Sequence, residues 1–251
     1  MKEKVRLDML LVSQGIADTR SRAQALIMAG CVRINGINKL KCGDFFPPDT
    51  KVEVVVPPHP YVSRGGLKLE KALSEFSVDV KNLICIDAGA STGGFTDCLL
   101  QHGASKVYAV DVGYGQIALK LRNDPRIVVI EKCNVRYLTN DQVPEKADLI
   151  TADLSFISLT KVLPKLLEFL KDGGIIITLI KPQFEAGRKH VKKGVVKDPL
   201  VREQVVKDIV TFAESIGLTT IGTTVSPIEG PSGNVEFLGV FNKSSPQQVI
   251  Q

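Results

Sequence analysis

The spacing of hydrophobic and polar residues predicts two regions of different organisation. In the first region, leucines recur with helical spacing, and short β-branched runs follow them. Thr19 has a hydroxyl that can cap the start of a second helix. We therefore expect a small α+β domain with the following elements: a helix around 7–11, a helix from Thr19, strands at 31–34 and 51–56, and a turn at Asn35-Gly36.

The second region alternates helical and strand patterns, which is typical of a parallel sheet with helices on both faces. Near its end, two strand patterns flank a Gly-Pro-Ser-Gly-Asn loop and predict an antiparallel hairpin. The fold class is thus α/β and Rossmann-like, a mostly parallel sheet with a C-terminal antiparallel hairpin. The expected helices are 66–76, 94–102, 116–121 and 159–170, and the expected strands are 83–87, 106–111, 127–131, 148–153, 175–180, 219–225 and 235–241.

Prolines at positions 57, 58 and 60 forbid a helix and favour an extended connector between the two regions. We expect the small domain to span residues 1–58, a linker 59–62 and the large domain 63–243. Residues 244–251 are polar, and we expect them to form a flexible tail.

Composition narrows the class of protein only modestly. The chain has 251 residues and a formal net charge of +5, which suits a polyanionic partner as well as ordinary solubility. Its five cysteines are scattered and match no zinc spacing, so we expect reduced thiols and no metal. The first residues resemble no signal peptide, and no run of about 20 apolar residues is present. We therefore expect a cytoplasmic protein that does not span a membrane.

A glycine-rich turn, "DAGASTGGFTD", follows the strand at 83–87 and opens a helix. Ligands of open parallel sheets bind at the carboxyl ends of strands, and glycines there let a bound molecule approach the backbone. The next strand ends on Asp111, whose carboxylate can accept hydrogen bonds from ribose hydroxyls. Each glycine alone could serve only a tight turn, but the combination predicts a cofactor that contains a nucleoside.

The turn departs from the dinucleotide fingerprint G-x-G-x-x-G because Ser91 replaces the middle glycine. This departure weakens an assignment to NAD without excluding it. Asp87 lies at the strand end before the turn, where a carboxylate would repel a phosphate but suit the cationic S-adenosylmethionine (SAM). A methyltransferase is therefore the preferred interpretation.

Charged residues follow or lie near several of the predicted strands. Asp153 and Lys181 end strands that meet at one edge of a parallel sheet, so they can lie a few ångströms apart. Glu236 is in the last predicted strand, and Lys68 is on the helix after the linker. Methyl transfer to an alcohol needs a positioned hydroxyl that loses its proton, and a lysine of lowered pKa held by carboxylates can accept it.

Taken singly, these residues are more often structural than catalytic, except Lys181, which ends a buried strand directly before a proline. The segment Asp153-Leu154-Ser155-Phe156 also partly resembles the D-P-P-[YF] motif of enzymes that methylate exocyclic amines. Both prolines are missing, so methylation of a base ranks behind methylation of a ribose.

The small domain has arginines at a predicted helix start and just beyond it, with further cations at 2, 4 and 6. Guanidinium groups clustered there form a face suited to the phosphates of structured RNA, although they could also be solvated. The RNA-binding residues that we expect are Arg6, Arg20, Arg22, Arg33 and Arg64.

Several quoted motifs resemble known families. Residues 5 to about 56 resemble the RNA-binding module shared by a ribosomal small-subunit protein, pseudouridine synthases and tyrosyl-tRNA synthetases. The motifs "YVSRGGLKLEKAL", "DAGASTGGFTD", "ADLSFISL" and "LIKPQFEAG" resemble the TlyA family, often labelled hemolysins, whose catalytic domain is similar to FtsJ-type ribose methyltransferases. The resemblance implies SAM-dependent 2′-O-methylation of ribosomal RNA, either isolated or in ribosomal subunits.

The resemblance also implies site residues. A Lys-Asp-Lys-Glu tetrad falls on Lys68, Asp153, Lys181 and Glu236, with Lys71 as a rival to Lys68 and Glu185 as a rival to Glu236. Lys181 is expected to help activate the hydroxyl, with Lys68 assisting and the carboxylates orienting. The SAM contacts implied are Asp87, Gly89, Ala90, Ser91, Gly93, Gly94, Phe95, Asp111, Asn134 and Asp153.

Two alternatives of other classes stay open. The hemolysin label suggests a membrane-damaging protein. The sequence argues against this alternative because it has no export signal, no membrane-spanning segment and no strongly amphipathic basic helix. An RNA-binding protein with an inactive methyltransferase domain would retain RNA without binding SAM.

Overall fold

The structure is a computed structural model that describes residues 4–28, 30–37, 40–55 and 59–244. The predicted domain boundary at residue 58 and nearly all of the predicted tail lie outside the described residues. No helix in the described part of the chain is long and apolar enough to cross a membrane.

The first region is a small α+β unit around its own apolar core, as predicted. Thr19 Oγ1 accepts a hydrogen bond from Arg22 N at 3.1 Å, so the threonine caps the second helix. The predicted turn also forms, since Ile34 and Ile37 exchange two backbone hydrogen bonds of 2.9 Å. The elements are β1 (Val5–Arg6), α1 (Leu7–Ser13), α2 (Arg20–Met28), β2 (Val32–Arg33), β3 (Phe45–Phe46) and β4 (Glu53–Val54); β1 pairs with β3 and β2 with β4, both antiparallel.

The second region is a seven-stranded sheet with helices on both faces. The strands and helices are α3 (Gly65–Glu75), β5 (Ile84–Ala88), α4 (Gly94–Gln101), β6 (Lys106–Val110), α5 (Leu119–Arg122), β7 (Ile127–Ile130), β8 (Ala147–Ala152), α6 (Leu163–Leu167), β9 (Leu170–Ile180), α7 (Pro182–Glu185), α8 (Pro199–Ser215), β10 (Leu218–Val225) and β11 (Phe237–Lys243).

The strand order is β10-β11-β9-β8-β5-β6-β7. The pairs from β9 through β7 are parallel, whereas β11 is antiparallel to both of its neighbours, β9 and β10. The predicted fold class, with its closing antiparallel hairpin, is therefore confirmed. The hairpin is not appended at the edge, because its second strand lies between β9 and β10.

The mostly apolar sequence of β9 from Ile175 to Ile180, which contains one buried polar residue, Thr178, follows from burial of both faces of the sheet. Ile176 packs in the cluster under α6 and α8, whereas Ile177 packs in the cluster under α3 and α4, and both side chains are inaccessible. Alternate residues of a strand point to opposite faces, so a central strand covered on both sides is apolar at nearly every position.

Two predicted helices differ from the observed ones, and one observed helix was not predicted. The helix expected over 159–170 is a 3₁₀ turn at Leu159–Lys161 followed by the short α6, because β9 already begins at Leu170. The helix expected over 116–121 is confined to the four residues of α5. The 17-residue helix α8 was not predicted, although Asp198 caps it and Pro199 occupies its first turn.

The reversed direction of β11 has a direct effect on one rim of the sheet. Strands β5, β6, β8 and β9 end at this rim, and β11 begins there, since Phe237 is paired with Ile180. The residues just after the parallel strands and just before β11 are therefore neighbours.

Candidate active site

Four charged side chains meet at this rim in alternating sign. Lys181 Nζ lies 2.5 Å from Asp153 Oδ1, and Lys68 Nζ lies 4.0 Å from Asp153 Oδ2. Lys68 also donates a hydrogen bond of 2.7 Å to Glu236 Oε2. The structure thus brings together the four residues on which the predicted tetrad falls.

Each of the four is positioned by the element beside it. Lys181 is the residue after β9, and Pro182 starts α7 and turns the chain away. Asp153 follows β8, and its backbone N–H donates to Ala88 O at 3.0 Å, which extends the pairing of β8 with β5. Glu236 directly precedes β11 and has no accessible surface.

The two rival residues have other partners. Lys71 Nζ donates to the carbonyl of Val225 at 2.8 Å and lies near Glu75, away from the cluster. Glu185 accepts hydrogen bonds from Ser158 Oγ at 2.6 Å and from the backbone N–H of Leu159 at 2.8 Å. Burial raises the pKa of Glu185. Lys68 and Glu236, rather than Lys71 and Glu185, therefore belong to the charged cluster with Asp153 and Lys181.

Two polar residues that the sequence reasoning missed complete the cluster. Ser155 Oγ accepts a hydrogen bond of 3.0 Å from Lys181 Nζ. Gln183 Nε2 donates to Glu236 Oε1 at 3.1 Å, while its own Oε1 is buried without a partner among the described residues. Both residues lie within two positions of a predicted tetrad member, and this proximity was the signal available in the sequence.

An aromatic surface lies beside Lys181. The ring of Phe156 is 5.0 Å from that of Phe184, and Lys181 Nζ is 5.9 Å from the Phe184 ring centroid. Phe156 is 91% exposed and has a φ of +63°, which is uncommon for a bulky side chain. An exposed ring at this position offers a stacking surface for a planar ligand.

The glycines of the β5–α4 turn make room for protein rather than for a ligand. A Cβ on Gly89 would lie 2.4 Å from the carbonyl oxygen of Asp153, and one on Gly94 would lie 2.3 Å from Ser63 Oγ. Gly93 has a φ of +94°, and its Cβ would lie 2.3 Å from Leu121. Close packing of neighbouring segments therefore explains these three glycines, and their predicted contacts with a cofactor stay predictions.

Asp87 is fully buried behind the same turn. Thr96 Oγ1 donates to its Oδ2 at 2.6 Å, and Thr151 Oγ1 donates to its Oδ1 at 2.9 Å. Burial raises the pKa of this carboxyl to about 6. The carboxylate joins β5, α4 and β8, and it has no accessible surface with which to touch a cofactor directly.

The other predicted cofactor residues divide into two groups. Ala90 and Phe95 are buried in the apolar cluster under α3 and α4. Ser91, Asp111 and Asn134 are half-buried and follow β5, β6 and β7, so they line one rim with Asp153. Asp111 already accepts hydrogen bonds from Ser91 N at 2.8 Å and Gly113 N at 2.6 Å.

This rim has the chemistry that SAM requires. Carboxylate oxygens at the ends of β6 and β8 can accept hydrogen bonds from ribose hydroxyls and can face a sulfonium cation, and Asp153 is still 22% exposed. The Asn134 side chain accepts from Arg136 N at 3.1 Å and starts a 3₁₀ turn, which leaves its amide N–H₂ available to a ligand. The residues present therefore fit the cofactor.

In the small domain, a buried carboxylate gathers two of the five predicted RNA-binding residues. Asp8 accepts hydrogen bonds of 3.1 and 2.9 Å from Arg6 and of 2.9 Å from Arg20 and Gln24. The Arg6 guanidinium holds the pKa of Asp8 well below its usual range. Asp8 therefore orients both arginines.

The other three predicted RNA-binding residues are not part of this cluster. Arg22 is exposed on α2, and Arg64 is exposed just before α3. Arg33 lies in β2, where its Nε is buried without a partner in the described part of the chain. The structure therefore leaves Arg22 and Arg64, but not Nε of Arg33, open to an external phosphate.

Two family models match the chain. The model described as FtsJ-like methyltransferase matches residues 61–243, and the model of the S4 domain matches residues 5–37. The first match spans the seven-stranded sheet and the charged cluster, and the second covers α1, α2 and β2.

Similar proteins share nearly the whole chain. YqxC of Bacillus subtilis is 51% identical over 94% of this chain and 85% of its own. The 16S/23S rRNA (cytidine-2′-O)-methyltransferase TlyA of Mycobacterium tuberculosis is 46% identical over 94% of this chain and 89% of its own. A solved structure from Streptococcus thermophilus that bears a hemolysin name is 43% identical, with a TM-score of 0.77 over 100% of this chain and 92% of that one.

Proposed function

Since the chain belongs to the FtsJ-like methyltransferase family, we propose that it methylates the 2′-hydroxyl of a ribose in ribosomal RNA with SAM as the donor. The observation that carries this proposal is the cluster of Lys68, Asp153, Lys181 and Glu236 at the rim of the sheet. The name of the similar M. tuberculosis protein supports the choice of ribose and of rRNA.

The cofactor site that we propose lies along the ends of β5 to β8. Asp111 would bind the ribose hydroxyls, and Ser91, Asn134 and Asp153 would supply further polar contacts. When bound, SAM supplies a methyl group on a positively charged sulfur. Asp87 would act from behind the turn, by tying β5 to α4 and β8 so that the rim keeps its shape.

Lys181 is the residue that we propose to receive the proton of the ribose hydroxyl. In its amine form, Nζ can accept that proton, and Asp153 stabilises the resulting ammonium from 2.5 Å. Ser155 fixes the direction of Nζ. Lys68, held by Glu236, balances the charge of Asp153 and adds a second donor toward the hydroxyl oxygen. Gln183 keeps Glu236 in place.

Two features besides the four charged residues support an RNA substrate. The S4 domain match covers the region in which Asp8 orients Arg6 and Arg20. The exposed ring of Phe156 beside Lys181 can stack on a base of the target strand. We propose that residues 1–58 hold the RNA, that 63–243 carry out the transfer, and that the activity is cytoplasmic, where ribosomal RNA is found.

The test is methyl transfer by the Lys181→Ala variant. Purified protein is incubated with tritiated SAM and unmethylated bacterial ribosomal subunits or rRNA, and label in the RNA is counted. Loss of the proton acceptor should abolish transfer, while the dissociation constant for SAM by calorimetry changes less than about threefold. Lys207→Ala, which removes an exposed lysine on α8, is the matched control and should retain full activity.

Transfer that persists in the Lys181→Ala variant would refute the assigned chemistry. Digestion of the labelled RNA to nucleosides shows whether the methyl group is on a ribose or on a base. Label should be recovered as a 2′-O-methylated nucleoside, and label on a base would favour the alternative of N-methylation.

A further inference from the structure

A second concentration of positive charge lies outside the small domain, in residues 188–197, here called the basic turn. It begins three residues after the end of α7 and contains no acidic residue. The side chains of its five lysines and arginines are all exposed: Arg188, Lys189, Lys192, Lys193 and Lys197.

These five cations lie within ten consecutive residues, and none of them has an acidic partner among the described residues. Within the described residues, no carboxylate lies within 4 Å of any of them, whereas eight other lysines and arginines of the large domain each pair with one outside the tetrad. Those pairs are Lys71–Glu75, Lys106–Glu145, Lys120–Asp97, Arg122–Glu131, Arg126–Asp124, Lys165–Glu168, Lys171–Asp148 and Lys243–Asp172. The basic turn therefore concentrates positive charge that no ion pair within the described residues neutralises.

The tip of the basic turn holds a lysine in an unfavourable backbone conformation. Lys192 and Val195 exchange two backbone hydrogen bonds of 3.0 and 3.1 Å, which close a two-residue turn. The residues between them, Lys193 and Gly194, have φ values of +51° and +78°. Glycine or asparagine is favoured at such positions, so the first of them carries a cation despite backbone strain.

The basic turn is fixed beside the charged cluster. Asn234, which is 3% exposed, donates to the carbonyl of Gly194 at 2.9 Å and accepts from the backbone N–H of Val196 at 3.4 Å. It lies two residues before Glu236. On its other side the basic turn is joined through α7 to Lys181. Both connections hold its cations close to the rim where the proposed reaction takes place.

We infer that the basic turn is a second RNA-binding surface, which binds phosphates of the strand that carries the target ribose. This inference rests on the proposed function and adds to it a contact within the catalytic domain. Lysine ammonium groups bind phosphates as point charges without reading sequence, so their part is to position the strand. The small domain then holds the RNA at one place and the basic turn holds it next to Lys181.

The test compares two triple variants of the full-length protein that lose the same charge. The first is Lys189→Gln/Lys192→Gln/Lys193→Gln in the basic turn. The matched control is Lys81→Gln/Lys146→Gln/Lys207→Gln, whose lysines are exposed before β5, before β8 and on α8. Binding to purified bacterial 30S and 50S subunits is measured by filter retention at several salt concentrations, and methyl transfer is measured at increasing subunit concentration.

The basic-turn variant should bind at least tenfold more weakly at low salt. The slope of log K against log salt should fall by about 2, since each lost phosphate contact removes about 0.7. KM for the subunits should rise in parallel with kcat unchanged, because the lost contacts are uniform binding contacts. SAM affinity should not change, and the control variant should behave as the wild type.

A second variant keeps the test valid if the triple variant folds poorly. Lys193→Gly removes the cation at the tip and suits the positive φ, so the fold should be retained or stabilised while subunit binding weakens about threefold. Lys193→Arg, which keeps the positive charge, should bind subunits as tightly as the wild type.

Unchanged binding and salt slope in both basic-turn variants, or an equal loss in the control, would overturn the inference. A wild type that transfers no methyl group at all would instead refute the proposed function, whereas the binding comparison would still decide on the surface.

Discussion

At the scale of single residues, the buried carboxyl of Asp87 makes the stability of the protein depend on pH. Its pKa is raised to about 6 by burial, whereas an aspartate in an unfolded chain titrates at about 3.9. The folded protein therefore binds this proton more tightly. The stability from this group is fully present below the unfolded pKa and is lost as pH rises through the folded pKa.

We expect Asp87 to lower the free energy of unfolding by roughly 3 kcal/mol between about pH 4 and pH 7. Urea denaturation at four pH values checks this, since Asp87→Asn should lack this part of the pH dependence. Thr151→Val is the matched variant: it keeps the carboxyl but removes a hydrogen bond that lowers its pKa, so the decline should extend to higher pH. Parallel pH profiles for wild type and Asp87→Asn would contradict the assignment.

Single residues also show where sequence patterns stop being informative. Lys68 and Lys71 are one helical turn apart, and the sequence left both open as tetrad members. The choice between them depends on how α3 is rotated against α4, which is a tertiary contact. Similarly, Glu185 is close to Lys181 in the chain, but Glu236 reaches the cluster only through the pairing of β11 with β9. Long-range strand pairing cannot be deduced from local periodicity.

At the scale of elements, the contact between α3 and α4 determines where Lys68 lies. A Cβ on Gly94 would be 2.3 Å from Ser63 Oγ and 3.0 Å from the backbone nitrogen of Gly66. The two helix starts are therefore too close together to admit a methyl group. This contact rotates α3 so that Lys68 faces the rim.

We expect Gly94→Ala to push α4 away from α3 and to displace Lys68. The variant should lose about 1–3 kcal/mol of stability, as overpacked sites do, and at least tenfold in kcat. Thermal unfolding and methyl transfer check the two effects. Gly43→Ala is the control, because a Cβ there meets nothing closer than Arg6 at 3.8 Å. An unchanged kcat for Gly94→Ala would show that this contact does not position Lys68.

The elements that could be predicted are those with long, regular patterns. The parallel strands were located to within one residue, except for the start of β9, because their sequences are mostly apolar. The sequence reasoning overlooked α8, although an aspartate cap, a first-turn proline and buried Val205, Ile209 and Ala213 at four-residue spacing were present. Strands β1 and β3 have two residues each, which is too short for any periodicity.

At the scale of the whole molecule, two basic surfaces are proposed to act on one RNA. The small domain has its own apolar core, which includes Leu7, Leu10 and Ile27, and the sheet has a separate core on each face. The net charge of +5 is thus divided between two units, each of which carries part of the proposed binding surface.

Combining the two surfaces gives a further prediction. Arg20→Gln/Arg22→Gln in the small domain and the basic-turn triple variant should weaken subunit binding by free energies that add within about 0.5 kcal/mol, since the sites share no partner. The salt slope of the combined variant should fall by about 3.5. Filter binding of the wild type, both variants and their combination gives the four affinities that a double-mutant cycle needs. A combined loss no larger than that of one variant alone would show that only one surface contacts the RNA.

The reversed strand β11 determines when the proposed site can be assembled during synthesis. Ribosomes make β11 after every other strand of the sheet, and Glu236 is made just before it. Until then β9 has an open edge, β10 has no partner, and Lys68 lacks Glu236, the nearer of its two carboxylate partners. A nascent chain therefore carries three of the four charged groups and no complete site. Insertion of this last strand closes the sheet and brings Glu236 to the proposed catalytic rim, so we expect no methyl transfer until the sheet is complete.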